Sequence, residues 1–573
     1  MSEQPLPQPR SSMREALQKE DKEKASAAAP KEKAAVAPPH VAAPPMAKNG
    51  GGNGGKGGHG AQPPAAEETT REIQVVREAY RQPAAPAYVM PEEPPAMVEL
   101  VGWYLYGFCS FFITHLLLPV LFPAIVTQVA FPSSDFTPEA KYTVKGASCS
   151  VHEMSMYQRL TKYTIAISSS HMSPLGWSAL SWAIGILLVA PLLTQVAHHL
   201  DRGQYQSLIL IAATSFGSFF CLLTGFFKTV WVFLFYILFI AASIIIAEAV
   251  HTRNLGLMIR GLAAHDSGKH LVLRRRAAAS QLSLYCTAIG GIGAALMAAF
   301  MYHMLRRTDQ LTGLWVVSIF SGLIWFIGIC HGLFTNRPTK LLQQAQVRMT
   351  IGRYPQAMAV FLSSFATMCI FTSGTLYAIG GVCIKPVLVL ALWILYFLFP
   401  LISLPLLHPI QIIIRADAVR MQLLGFIIAL FVSGAGFYFK SHRWRAAHII
   451  IIALVQSTAN GILYSFGRIL LLDASPPGKE GAFAIWYAYV RCMGAMIGFA
   501  VASAGPGRAG GSFAAAFLGS FLGIIVLIFG NVSNVGALKA AGHLKGMEDE
   551  KRIGEKGEGM SAVADSGESR GRV

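Results

Sequence analysis

Charged residues are scarce in this chain: Asp, Glu, Lys and Arg together make up 13% of its 573 residues, whereas hydrophobic residues make up 53%. Soluble globular domains carry about 25% charged residues, so this composition excludes an ordinary soluble domain. Catalytic patterns are missing as well, because the sequence has no GxSxG, no HExxH and no DxD on a loop. The scattered histidines show no metal-ligand spacing. We therefore expect no enzyme, no metal and no other cofactor.

Cysteine pairs are also missing. None of the eight cysteines belongs to a CxxC pair, and most lie within apolar runs. A free cysteine in such a run acts as a small hydrophobic residue, so neither zinc nor a disulfide framework is expected. One exception stays open, because Cys149 and Cys383 can both face the non-cytoplasmic side and form a bridge.

Long apolar runs are abundant and recur from residue 101 to about residue 535. A helix needs about 20 apolar residues to cross the hydrocarbon core, and helices suit such runs because lipid offers no partner for unpaired backbone groups. The runs predict an all-α polytopic membrane protein with twelve spans. Their approximate limits are 101–130, 175–197, 206–227, 229–250, 278–304, 314–335, 355–380, 387–407, 422–439, 446–471, 482–503 and 511–533.

The two ends of the chain differ from its centre. Residues 1–97 are rich in Ala, Pro and Gly and contain no long apolar run, and residues 536–573 are polar. Such compositions do not bury a core, so both segments are predicted to be disordered cytoplasmic tails. Between them we place a six-helix bundle at 98–336, a central cytoplasmic loop at 337–354 and a second six-helix bundle at 355–535.

The formal net charge of +17 does not indicate nucleic-acid binding, because both tails are close to neutral and the excess lies in loops between spans. Basic loops follow the fourth and sixth spans, and the positive-inside rule places them in the cytoplasm together with both termini. The basic segment "KSHRWR" at 440–445 departs from this rule, since it falls on the opposite face. The partner indicated by this distribution is the lipid bilayer.

A short turn that holds an acid and an arginine occurs twice. It reads "LDRGQY" after the second span and "IRADAVRMQ" after the eighth, six spans later. Two six-span halves that repeat in this way are typical of secondary transporters, which bind their solute near the midplane between the halves.

Three segments carry a resemblance to a known family. "PLLTQVAHHLDRGQYQSLIL" resembles the second loop of the major facilitator superfamily. "GWYLYGFCSFFITHLLLPVLFPAIVTQVA" and "SFGRILLLDASPPGKEGAFAIWYAYVR" are similar to the first span and the tenth-to-eleventh-span block of its autophagy-related vacuolar amino-acid effluxer family. The resemblance implies a major facilitator fold and alternating access. It also implies transport of a small polar solute, such as a neutral amino acid leaving the vacuole or lysosome. The plasma membrane is the alternative location.

Departures from the family keep a rival open. The family often has an acid at the positions of Gly107 and Ala482, and an asparagine at the position of Glu248. Missing acids favour a non-transporting scaffold or receptor derived from a transporter fold, whereas the retained gate residues favour transport.

The resemblance assigns a cytoplasmic gate to five residues: Asp201, Arg202, Gly203, Arg253 and Asp417. A helix start presents unpaired N–H groups and partial positive charge, so Asp201 is expected to dock at the start of the eleventh helix when the cytoplasmic side is closed. Arg253 is the expected second partner of Asp201.

Two ionisable residues lie within apolar runs, where a charged side chain is energetically costly. Glu248 lies near the predicted cytoplasmic end of the fourth span. It is interpreted either as a carboxyl with a basic partner that carries a proton or as an interfacial carboxylate. Arg468 in the tenth span either faces the bundle interior or extends to the interface.

Four further residues are candidates for solute or ion coupling. Arg491, deep in the eleventh span, suits a solute carboxylate and a structural carboxylate equally well. His115 is interpreted as a core histidine more readily than as a ligand. Gln456 and Asn460 place two amides on one helical face, where they can either read a polar solute or join two helices.

Overall fold

The computed structural model describes residues 93–131, 157–167, 170–203, 205–227, 229–263, 271–308, 313–335, 337, 354–438, 444, 446–476, 478–505, 509–530 and 532. The predicted tails and central loop lie almost entirely outside this part of the chain. Their predicted boundaries and disorder therefore stay predictions.

Twelve helices in the described residues are long and apolar enough to cross a membrane. We label these spans α1 to α12: Met97–Ala130, Pro174–Asp201, Gln206–Leu223, Val232–Leu262, Leu273–Met304, Leu314–Phe334, Pro355–Gly380, Val387–Ile413, Ala418–Tyr438, Ala447–Asp473, Glu480–Ala504 and Ala509–Phe529. A small antiparallel hairpin, β1 (Ile165–Ile167) and β2 (Ser170–Met172), precedes α2 and pairs Ile165 with Met172. The predicted all-α fold with twelve spans is confirmed.

Three spans contain irregular turns, and proline explains two of them. In α1 the stretch Ile113–Leu121 is π-helical and contains Pro119. In α8 the helix is interrupted at Phe399, directly before Pro400. Proline has no N–H to donate and its ring crowds the preceding turn, so the regular ladder breaks there. In α6 the interruption falls at Gly328.

Local signals determine where α2 begins and ends. The hydroxyl of Ser173 accepts a hydrogen bond from the Gly176 N–H at 3.1 Å, and Pro174 occupies the first turn. Gly203 follows the last turn with a positive φ of 66°, which glycine adopts without steric cost. This arrangement places Asp201 in the final turn of α2.

The helices pack in two halves that repeat one pattern. In the first half α1 packs on α5, α2 on α4, and α3 on α4 and α6; in the second half α7 packs on α11, α8 on α10, and α9 on α10 and α12. Each helix pair in the second half corresponds to a pair in the first half whose two helix numbers are lower by six. The halves meet where α2 and α4 pack on α11, and where α8 and α10 pack on α5. Two pseudo-symmetric six-helix bundles are the arrangement of a major facilitator fold, as predicted.

One cysteine forms a disulfide. Cys383, just after α7, is disulfide-bonded, and it is one of the two residues for which a bridge was left open from the sequence. Six other cysteines are free: Cys109, Cys221, Cys286, Cys330, Cys369 and Cys492. Cys149, the partner weighed for Cys383, lies outside the described residues.

Candidate functional site

A cavity of about 530 Å³ lies between the two halves. It is lined from the first half by α1 and from the second by α7, α8, α10 and α11. Polar side chains in its wall are Thr114, His115, Ser363, Ser364, Thr367, Tyr396, Asn460, Tyr464, Tyr487 and Arg491. In the described residues no group of three or more His, Cys, Asp or Glu side chains is arranged to hold a metal. The cavity therefore offers hydroxyls, one imidazole, one amide and one guanidinium to a polar solute.

Arg491 is the arginine in the wall of this cavity. It lies about 16 Å along α11 from the helix start at Glu480, given a rise of about 1.5 Å per residue. Its guanidinium carbon is 4.5 Å from the centroid of the Tyr464 ring. At this depth the side chain does not reach the interface, so its charge has to be balanced within the bundle or by a bound group.

Tyr464, in the wall of the cavity, connects the two halves of the molecule. Its hydroxyl donates a hydrogen bond of 2.8 Å to Oε1 of Glu248 on α4. The guanidinium carbon of Arg468 lies 4.9 Å from the centroid of the same tyrosine ring and 5.7 Å from the Trp103 ring. Both arginines interact electrostatically with Glu248. Tyr464 thus stands between the two guanidinium groups and the single carboxylate.

The position of Glu248 differs from the sequence-based expectation. The helix that carries it runs to Ala263 instead of ending near residue 250, so Glu248 lies in the middle of the helix. Its side chain is 4% exposed, which rules out an interfacial carboxylate. The polar segment "HTRNLGLMIRGLA" misled the prediction because it looks like a loop, whereas it forms the last turns of α4.

Arg468 is fully buried, and its three guanidinium nitrogens have no hydrogen-bond partner in the described residues. Glu248 is the one acidic residue in the described spans that lies away from a helix end. Two arginines therefore stand near one carboxylate, which leaves one formal positive charge in excess in a region of low dielectric. Such an excess is costly unless an anionic group joins it.

The other cavity candidates divide into two groups. His115 lies in the π-helical stretch, where Nδ1 is 2.9 Å from the Phe111 carbonyl oxygen, and its ring stacks on Phe111 at 4.0 Å. Asn460 also lines the cavity. Gln456, one turn away, does not: it lines a different cavity inside the second half. The shared helical face inferred for the two amides is therefore split between two cavities.

We call the end of the molecule that carries the α2–α3, α4–α5, α8–α9 and α10–α11 connections the basic end; it is the predicted cytoplasmic side. There Asp201 Oδ1 accepts a hydrogen bond of 2.9 Å from the Ala482 N–H, and Oδ2 lies 3.3 Å from Lys479 Nζ. Asp201 is 6% exposed. The contact expected between Asp201 and the start of α11 is thus present, and its role as a gate stays a prediction.

A buried ion pair completes what we call the first corner, formed by the ends of α2 and α4 and the start of α11. Arg260 on α4 pairs with Glu480 on α11, and their side chains are 11% and 1% exposed. The same carboxylate accepts a hydrogen bond of 2.8 Å from the Gly478 N–H. These contacts join the two halves and close the first corner.

The second corner is the symmetry-related set, formed by the α8–α9 turn, the end of α10 and the start of α5. Arg275 Nη2 lies 3.3 Å from Asp473 Oδ1, with side chains 10% and 7% exposed. Arg276 donates a hydrogen bond of 3.1 Å to the Arg415 carbonyl oxygen. The basic end is therefore closed at both corners.

The structure places the remaining gate candidates, Arg202, Arg253 and Asp417, in three different environments. Arg202 is exposed after the last turn of α2, next to Gly203. Arg253 is fully buried within the first half and donates hydrogen bonds to Gln206 Oε1 and to the Arg337 carbonyl oxygen. Asp417 caps its own helix, because Oδ1 accepts a hydrogen bond of 2.9 Å from the Arg420 N–H.

Sequence reasoning missed several residues of these sites. Tyr464 and Tyr487 were not assigned to the site, because a tyrosine in an apolar span is an ordinary core residue; Tyr487 served only as one of the residues that carry the family resemblance. The hydroxyls of Ser363, Ser364 and Thr367 had a visible signal, since they place polar groups on one face of an otherwise apolar helix. The corner charges were read as loop residues because the ends of α4, α5 and α10 extend past the apolar runs.

Of the three comparisons with known proteins, the comparison with solved structures finds matches. No protein-family profile and no curated protein sequence matches the chain. Among solved structures, the chain is similar to the human organic anion transporter MFSD10 (TETRAN), at 12% identity and a TM-score of 0.47, over 75% of this chain and 98% of that chain. Values this low do not carry a solute or a mechanism from that protein to this one.

Proposed function

We propose that this chain is a secondary transporter that moves a small polar solute by alternating access, and that the solute places an anionic group on Arg491. The observation that carries the proposal is the excess positive charge beside a polar cavity between two pseudo-symmetric halves. Arg491 lines the cavity, and the guanidinium of Arg468 packs against the ring of Tyr464. Glu248, which is bonded to Tyr464, is the carboxylate near both arginines. A guanidinium binds a carboxylate through two parallel hydrogen bonds, which gives affinity and orientation together.

Alternating access is supported by the distribution of contacts. The basic end is closed by ion pairs and hydrogen bonds that join the halves, and these bonds can exchange with water when the halves rock. The cavity lies deeper, where side chains of both halves reach the same space. A site at this level is accessible from either side in turn, as transport requires.

The finer proposal is that the solute is a neutral amino acid and that it leaves the vacuole or lysosome. Its carboxylate would bind Arg491, and its ammonium group would find oxygen acceptors in Asn460 and the hydroxyls of α7. Protons are the proposed coupling ion. A proton on Glu248 removes the nearby negative charge and so strengthens binding of an anionic group at the arginines.

The test is transport in proteoliposomes with labelled neutral amino acids and, in parallel, a labelled monocarboxylate, each with and without a pH gradient. Arg491→Gln should reduce uptake by more than tenfold, because the anion loses its charged partner. Arg420→Gln, on the exposed surface of α9, should leave uptake unchanged. Glu248→Gln should abolish the pH dependence and retain exchange; an unchanged pH profile would remove Glu248 from the coupling.

The rival is a non-transporting scaffold or receptor. It predicts that no solute moves in these vesicles while the protein binds partners through residues 1–97. Equal uptake by the wild type and Arg491→Gln would retain transport but overturn the assignment of the solute to this cavity.

A further inference from the structure

A second cavity, of about 780 Å³, lies inside the second half of the molecule, near the end opposite to the basic end. Side chains of α7, α8, α9, α10 and α12 line it together with Trp444. Most of the wall is apolar, including Phe371, Trp393 and Phe513, and none of the lining residues is charged.

Gln456 carries the one amide side chain in this wall, beside the hydroxyls of Thr375, Tyr377 and Tyr396. Its side chain is 2% exposed, and neither its amide oxygen nor its amide nitrogen has a hydrogen-bond partner in the described residues. The Trp393 N–H, by contrast, is used, since it donates to Thr375 Oγ1 at 3.3 Å. A buried amide without a partner costs about 1 to 3 kcal/mol, so its two ends favour any group that can satisfy them.

The group that meets this need has to both donate and accept a hydrogen bond. A hydroxyl on a hydrocarbon does meet it, since one hydroxyl both donates to the amide oxygen and accepts from the amide nitrogen. A charged headgroup does not fit, because no lining residue would balance its charge.

We propose that this cavity is a binding site for a sterol, a neutral and rigid hydrocarbon with one hydroxyl group. The flat ring system packs against the aromatic walls formed by Phe371, Trp393 and Phe513, and the hydroxyl pairs with Gln456. The bilayer around the helices supplies the ligand. Phe371 and Tyr396 line both this cavity and the central one, so they separate the sterol site from the solute site. The sterol site does not depend on the proposed transport.

The structure offers a matched pair of variants to test this site. A Cβ added at Gly374, which lines the cavity, meets no atom within 4 Å, so a side chain at this position starts in open space and Gly374→Leu should fill part of the cavity. A Cβ added at Gly511 on α12 also meets no atom within 4 Å, and Gly511 is exposed outside the cavity. Gly511→Leu is therefore the control for the added side chain.

The measurement is photolabelling of the full-length protein in nanodiscs with a diazirine-bearing sterol, followed by peptide mapping. We expect labelled peptides from α7, α8 and α10 of the wild type and of Gly511→Leu, and at least a tenfold loss in Gly374→Leu. Equal labelling of Gly374→Leu would overturn the site. Equal thermal stability of the two leucine variants shows that lost labelling does not reflect unfolding.

The chemistry of the ligand is tested separately. Gln456→Leu should weaken labelling by the sterol about tenfold, and it should leave labelling by the same ring system without its hydroxyl unchanged. Diazirine probes built on a fatty alcohol and a fatty acid should label these peptides weakly. Stronger labelling by either chain probe than by the sterol, or an unchanged Gln456→Leu variant, would overturn the sterol assignment.

Discussion

The two corners of the basic end occupy related places in the fold but use opposite charges. In the first corner the arginine, Arg260, comes from the end of α4 and the acid, Glu480, from the start of α11. In the second corner the acid, Asp473, comes from the end of α10 and the arginine, Arg275, from the start of α5. The pseudo-symmetry of the helices is therefore retained while the charge order is reversed.

The turns at the two corners also make different contacts. At the first corner the side chain of Asp201 reaches across the halves to the Ala482 N–H at the start of α11. At the second, Asp417 caps its own helix, and the contact across the halves runs from Arg276 to a backbone carbonyl. A repeated sequence motif thus indicates a repeated fold and does not indicate a repeated contact. Both corners have a buried ion pair, but the first adds the buried Asp201 carboxylate as a contact across the halves, so it should hold the closed form more strongly.

The largest effect is expected from Arg260→Met, which leaves the buried Glu480 carboxylate without its arginine. Removal of one partner of a buried pair costs about 3 to 5 kcal/mol, and opening to water relieves this cost. We expect the basic end to open in most molecules. The readout is the distance between spin labels at His199→Cys and Arg420→Cys, which are exposed on opposite halves. A distribution identical to that of the labelled parent would contradict this role of the first corner.

A smaller opening is expected from Asp201→Ala. The change removes a charged acceptor from the start of α11, and a hydrogen bond to a charged group contributes about 1.5 to 3 kcal/mol. The open fraction should therefore rise about tenfold to a hundredfold, measured with the same label pair. Asp201→Asn retains an acceptor oxygen and should open less. If both variants behave as the parent, Asp201 does not help to hold the basic end closed.

The smallest effect is expected from Asp417→Ala, which removes a helix cap and no contact across the halves. Loss of such a cap lowers the free energy of unfolding by about 1 kcal/mol. The thermal midpoint should fall slightly, and the spin-label distance should stay as in the parent. An opening as large as that of Asp201→Ala would show that the two corners act alike and would overturn the contrast between them.

Part of the candidate site could be predicted from the sequence because it rests on local signals. Gly203 allows the turn after α2, and the start of α11 presents unpaired N–H groups, so Asp201 and its contact could be anticipated. The partners of Glu248 and Arg468 could not. Hydropathy along a span does not tell which face of the helix meets the other half of the molecule. Tyr464, which bonds Glu248 across the halves, had no signal at all.

The sequence by itself determined the class of the protein and the number of its helices. The reason is that the bilayer requires about 20 apolar residues per crossing and satisfied backbone hydrogen bonds, and both requirements can be read along the chain. Only the tertiary structure decided which charges meet. It brought Glu248, Tyr464 and the two arginines together from different helices, separated Gln456 from Asn460, and reversed the ion pairs at the two corners. Contacts of this kind depend on how the helices rotate and pack against one another, and packing is a property of the assembled bundle.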